Sequence, residues 1–164
     1  MEAYLRPVSV EDLEQLRQWR NHPSVRAMMF HTHEVGPQEH QQWFSRVSAD
    51  PNRRLSIFML DDQPSGFVQF TLDGNQAEWG FHLAPSMQGQ GYGLLLGQAA
   101  LSYAFEQLQL DAVVGKVRSD NQPSLNFHRR LGFTERSQQT QNGNPVYCFR
   151  LDRDQWDQPG HGAG

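Results

Sequence analysis

Gln88-Gly89-Gln90-Gly91-Tyr92-Gly93 follows a strand-like run ending at Leu83 and a turn at Pro85, and it opens an amphipathic stretch reaching Leu108. The position of these glycines decides the reading. A helix N-terminus presents unpaired N–H groups and partial positive charge, and residues without Cβ let the backbone approach a diphosphate closely. The segment can therefore cradle a dianion without a lysine.

Two other phosphate motifs fail on inspection. A Walker loop needs Gly-Lys-Ser/Thr where Leu94 follows Gly93, and a dinucleotide fingerprint belongs after a first strand with a later ribose-binding acid. Upstream, Leu55–Leu60, Gly66–Leu72 and Ala77–Leu83 are short apolar runs separated by Asp61-Asp62-Gln63-Pro64 and Asp73-Gly74-Asn75, which reads as an antiparallel meander. Downstream, the helix to Leu108 precedes a strand from Ala112 to Val117, a helix from Pro123 to Leu131, and strands opening at Phe133 and Val146. This order is mixed α/β and not doubly wound.

Before the meander, a strand within Met1–Pro7 leads to a helix capped by Ser9 that carries Leu13, Leu16 and Trp19. A shorter helical region covers Ser24 to Met29, and a third helix starts after Gly36-Pro37 and carries Glu39, His40 and Trp43. The 164 residues suit one domain, expected over residues 1–152, with a polar tail over 153–164 that frays. No apolar run approaches the roughly 20 residues of a membrane span, and no secretory leader opens the chain, so a cytoplasmic location without membrane partners is expected. A net charge of -4 disfavours nucleic-acid binding, while arginines far outnumber the single lysine and suit local recognition of phosphate or carboxylate. The lone Cys148 sits in an apolar run and is expected to be a buried structural thiol.

The spacing of Gln88, Gly91 and Gly93 resembles the signature of the GNAT acetyltransferase superfamily: Arg or Gln, two residues, Gly, one residue, then Gly or Ala. Gln88 stands where arginine is more usual. Residues Asn121 to Phe133 look like a second signature of that superfamily, N-x-x-(S/A)-x-x-(F/L)-Y-x-x-x-G-F, with His128 in the tyrosine position. The resemblance implies an α/β GNAT fold, a mixed and mostly antiparallel sheet of about seven strands flanked by helices. It also implies acetyl-CoA as co-substrate, held by Leu83, Gln88, Gly89, Gln90, Gly91, Tyr92, Gly93 and Asn121. Transfer would be direct, without an acyl-enzyme. His128 would then protonate the departing thiolate, as the family tyrosine does. On the strand before the cradle, alternation puts Glu78, Gly80 and His82 on one face, so Glu78, directly or through water, or else His82 could accept the amine's proton.

The elements Leu5-Arg6-Pro7, Trp19-Arg20-Asn21, Val25-Arg26 and Glu39-His40-x-x-Trp43 are similar to those of a subgroup acting in pseudaminic acid biosynthesis. That subgroup acetylates the 4-amino group of a UDP-linked 4-amino-4,6-dideoxy sugar. Arg20 or Arg26 could fork onto a diphosphate, Trp43 could stack on uracil or sugar, and His40 could hydrogen-bond the acceptor. The same elements occur less completely in ribosomal-protein-alanine acetyltransferases. Protein N-terminal or small-amine acetylation, or a non-catalytic CoA-binding module, therefore stay open, as does a homodimer. His31, His33, Glu34 and His40 lack the spacing of a metal site, and no metal is expected.

Overall fold

Seven strands form one sheet in the order β1-β2-β3-β4-β5-β7-β6. The computed structural model describes residues 2–29 and 33–156. The strands are β1 (Ala3–Pro7), β2 (Arg53–Leu60), β3 (Gln63–Asp73), β4 (Gln76–Leu83), β5 (Ala112–Arg118), β6 (Thr134–Gln141) and β7 (Asn144–Asp152). Every neighbouring pair is antiparallel except β4 and β5. Left-handed residues close the hairpins: Asp61, Gly74, and the pair Asn142-Gly143. The outer strand β6 is almost wholly exposed and polar, which blunts an edge that would otherwise offer free backbone groups to another chain.

The helices are α1 (Leu13–Asn21), α2 (Pro23–Arg26), α3 (Pro37–Ser48), α4 (Gly93–Ser102), α5 (Gln122–Arg130) and α6 (Arg153–Trp156). Strand alternation gives the sheet two apolar faces. Phe58, Phe70, Trp79, Val113 and Phe149 join Leu96, Leu101 and Leu125 in a core shared with α4 and α5. Ile57, Met59 and Phe67 pack instead with Leu16 and Trp19 of α1, and Trp43 of α3 leans on this second cluster. The fold class and strand number agree with the sequence reading, as does the order of elements.

Some expectations are corrected. The long helix begins at Gly93 and widens into a π turn over Tyr103–Gln107, where Leu108 N–H reaches Tyr103 O at 3.0 Å. The tail does not fray at its start: Arg153 Nε donates to Leu110 O at 3.1 Å, and Trp156 stacks on Phe105 with centroids 6.0 Å apart. Cys148 is half-buried, not buried, because β7 lies beside the polar edge strand. No helix among the described residues is long and apolar enough to cross a membrane.

Candidate active site

The only parallel pair in the sheet is also its shortest ladder. β4 and β5 are matched from Gln76↔Ala112 to Trp79↔Gly115 and then part, so Gly80–Leu83 and Lys116–Arg118 face each other across an unpaired gap. A cavity of about 870 Å³ threads this gap and is lined by residues of both sheet faces. On one side it meets Gln88, Gly93, Asn121 and Phe127; on the other it opens between the sheet and α1 to α3, past Arg20, Glu39, His40, Trp43 and Arg46.

Gly89 and Gly91 sit at φ +75° and +83°, with nothing within 4 Å of where a Cβ would be, immediately before the ten-residue α4. Gln88 Nε2 is buried without a hydrogen-bond partner, an orphan donor at the cavity wall. These features fit an anionic phosphate group. Gln90 instead ties the loop down, its Nε2 donating to Ser86 O at 2.8 Å, and Tyr92 packs against the core. Asn121 caps α5 by accepting from Ser124 N–H at 3.3 Å, which leaves its Nδ2 donor free of that cap beside the cavity. Leu83 lines the gap.

His128 is corrected. It is 2 % exposed; Nδ1–H donates to Ser124 O at 2.8 Å, and Nε2 accepts from Trp79 Nε1–H at 3.1 Å. Burial among the rings of Trp79, Phe81, Phe133 and Phe149 pushes its pKa down to about 4. A neutral imidazole whose Nδ1–H is held by a carbonyl and whose Nε2 accepts from an indole is a poor proton donor to a thiolate at neutral pH. Its Nε2 satisfies a buried indole donor. The partner, Trp79, lies far away in the chain, so no local pattern announced it.

On the opposite face Glu78, Gly80 and His82 share one side of β4, as alternation required, and all border the cavity. Glu78 Oε1 is 3.1 Å from Lys116 Nζ, an ion pair spanning the point where the strands separate. His82 is buried, its Nδ1 lies 3.3 Å from Leu83 O, and desolvation lowers its pKa to about 4. Arg20 lines the cavity, and burial lowers its pKa from the ordinary arginine value. Arg26 is not among the lining residues. His40 is buried and stacked on Trp43, centroids 5.1 Å apart, so one face of that indole is already covered. Desolvation also lowers the His40 pKa.

Sequence reading passed over Gln69, Arg53, Lys116 and Arg118. Arg53 Nη2 donates to Gln69 Oε1 at 2.7 Å. Arg118 reaches from β5 to Met29 O at 3.1 Å and pairs with Asp120 at 2.7 Å. Lys116 carried a signal in being the chain's single lysine; the others join segments distant in sequence. Among the described residues no cluster of three or more His, Cys, Asp or Glu could hold a metal ion, and His31 lies outside them. His33 Nε2 instead meets Glu39 Oε2 at 2.9 Å.

The family profile of the acetyltransferase (GNAT) domain matches residues 3–134. Acetyltransferase PseH of Campylobacter jejuni is 26% identical over 125 residues, 76% of this chain and 78% of that protein. The spermidine N(1)-acetyltransferase of Escherichia coli K12 is 26% identical over 133 residues, 79% of this chain and 72% of that protein. Among solved structures, AAC(6')-Ib in complex with paromomycin and acetyl-CoA superposes with a TM-score of 0.87 at 19% identity, covering 98% of both chains.

Proposed function

Since the chain belongs to the GNAT acetyltransferase family, we propose that it moves an acetyl group from acetyl-CoA directly to the 4-amino group of a UDP-linked 4-amino-4,6-dideoxy sugar. The observation that carries the acceptor class is the charge of the cleft. Arg20, Arg46, Arg53, Lys116 and Arg118 line it, and Glu39 and Glu78 are the carboxylates among its described lining residues; with Lys116 paired to Glu78, His33 beside Glu39 and Arg118 held by Asp120, the guanidinium groups of Arg20, Arg46 and Arg53 tip the cleft positive. A polycation such as spermidine or an aminoglycoside would meet like charge there, whereas a diphosphate would meet arginine forks. The resemblance to PseH supports the same class.

In this reading the α4 N-terminus, Gly91, Gly93 and Gln88 hold the CoA pyrophosphate, and Asn121 Nδ2 steadies the pantetheine arm. The Leu83 backbone N–H supports the oxygen of the acetyl carbonyl as it gains charge. The acceptor enters from the α1–α3 side, its diphosphate held by Arg20 and Arg46 and its base on the uncovered face of Trp43. Glu78 takes the amine's proton through water, and the thiolate leaves without help from His128.

The test is thiol release from acetyl-CoA by purified protein with UDP-4-amino-dideoxy sugars, N-terminal peptides, spermidine and simple amines, each product weighed by mass spectrometry. Acetylation of the nucleotide sugar supports the reading. Turnover of peptide or polyamine alone replaces the acceptor, and no turnover with any amine leaves a CoA-binding module.

A further inference from the structure

Glycine in the middle of a strand weakens it, so each such residue asks for a reason. For Gly66 and Gly115 the reason is packing: an added Cβ would lie 2.8 Å from His82 O and 2.5 Å from His128 Nε2 respectively. Gly80 has no such reason. The nearest atoms to its Cβ position are Gln69 Nε2 at 3.4 Å and Cγ at 3.5 Å, ordinary contact distances, and its φ is not in the left-handed region. An alanine would fit the backbone and the neighbours.

What the missing Cβ leaves is a notch in the floor of the acceptor face. Gly80 is the first residue beyond the last β4–β5 rung, Trp79↔Gly115, so the notch sits where the strands open. Glu78 and His82 flank it along β4, and Gln69 faces it across β3. Arg53 can only donate, so the Gln69 atom it meets at 2.7 Å is the oxygen. The amide Nε2 is thereby turned toward Gly80.

We propose that the Gly80 notch seats the amine-bearing carbon of the acceptor and makes room for the two ring neighbours that a 4-amino sugar carries there and a linear amine lacks. This rests on the nucleotide-sugar reading for the identity of the ring, but the notch itself is tested on whichever acceptor the protein uses. Glu78 and the Gln69 amide form its polar rim, one to take a proton and one to donate to a neighbouring ring oxygen. Arg53 is a positioning residue acting through Gln69.

The experiment compares wild type with Gly80→Ala by kcat/KM on the UDP-4-amino-dideoxy sugar and on a linear primary amine, with CoA affinity by calorimetry and thermal melting as controls. Displacing the nitrogen by the width of a methyl group is expected to lower kcat/KM for the ring amine about 100-fold and the linear amine far less. CoA affinity and melting temperature should hold. A ring-amine kcat/KM within about threefold of wild type, with the protein folded and binding CoA, overturns the notch. Gly80→Ala is repeated in a Gln69→Ala background, where recovery to the Gln69→Ala rate would show that the loss came from a pushed glutamine and would also overturn it. If wild type ignores the sugar and acetylates another amine, the nucleotide-sugar reading falls alone; the notch then stands or falls by the loss, or absence of loss, on that amine.

Discussion

The His128 imidazole is locked between the Ser124 carbonyl and the Trp79 indole, and a lock of this kind fails differently from an acid. His128→Ala is expected to leave a cavity and an unmet indole donor, costing about 2–4 kcal/mol in chemical denaturation. The kcat of the protein that stays folded should fall far less than the roughly 100-fold that losing a general acid costs. The same burial sets a pH dependence. His128 and His82 have folded pKa values of about 4 against an ordinary value of 6.5. Between those values the unfolded chain binds protons that the folded chain refuses. Their contribution is therefore complete above about pH 6.5 and is lost as pH falls toward 4, on the order of 3 kcal/mol for each residue. His128→Gln can still accept from the indole but does not titrate, so it should remove about half of this acid slope in a melting series from pH 7 to 4.5.

Among the elements, the short β4–β5 ladder matters most, because one missing stretch of pairing creates the passage between the two faces. Gly115 on β5 holds its place by contact: a Cβ there would lie 2.5 Å from His128 Nε2 and 2.8 Å from Trp79 Nε1, two rings with no room to yield. Gly115→Ala should cost about 1–3 kcal/mol or more in denaturant unfolding, in contrast to Gly80→Ala on the neighbouring strand. The elements themselves were legible because their signals are local: period-two runs, the turn clusters at Asp61–Pro64 and Asp73–Asn75, and the glycines before α4. The glycine-rich turn before α4 was legible for the same reason, since it is built largely from backbone within one segment. The partners that decide side-chain roles were not. Trp79 with His128, Glu78 with Lys116 and Arg53 with Gln69 each join different elements, brought together by the packing of α5 on the sheet in the first case and by the arrangement of the strands in the other two. Periodicity put Glu78 and His82 on the correct face of β4 but could not show that a lysine already spans the gap beside one of them.

Across the whole molecule the charge is unevenly spread. The chain is acidic at -4, yet the cavity between β4 and β5 is lined by more arginine and lysine than carboxylate among the described residues. Such a field draws an anionic acceptor and is screened by salt, whose Debye length falls from about 10 Å at 0.1 M to about 3 Å at 1 M. At saturating acetyl-CoA, kcat/KM for a nucleotide-linked amine should therefore fall on the order of tenfold between 0.05 and 0.5 M sodium chloride, mainly through KM. A KM that falls with salt would mark a cationic acceptor instead.

The tryptophans carry a further consequence. Trp43 and Trp79 line the cavity, Trp43 from the α3 side and Trp79 from β4, and Trp19 and Trp156 are not among its lining residues. Under the acceptor and donor placement proposed above, the chain holds one native fluorophore on each side of the passage and two set back from it. With the other three indoles replaced by phenylalanine, the emission of Trp43 would follow arrival of the acceptor and that of Trp79 arrival of the donor, without a dye or a coupled assay.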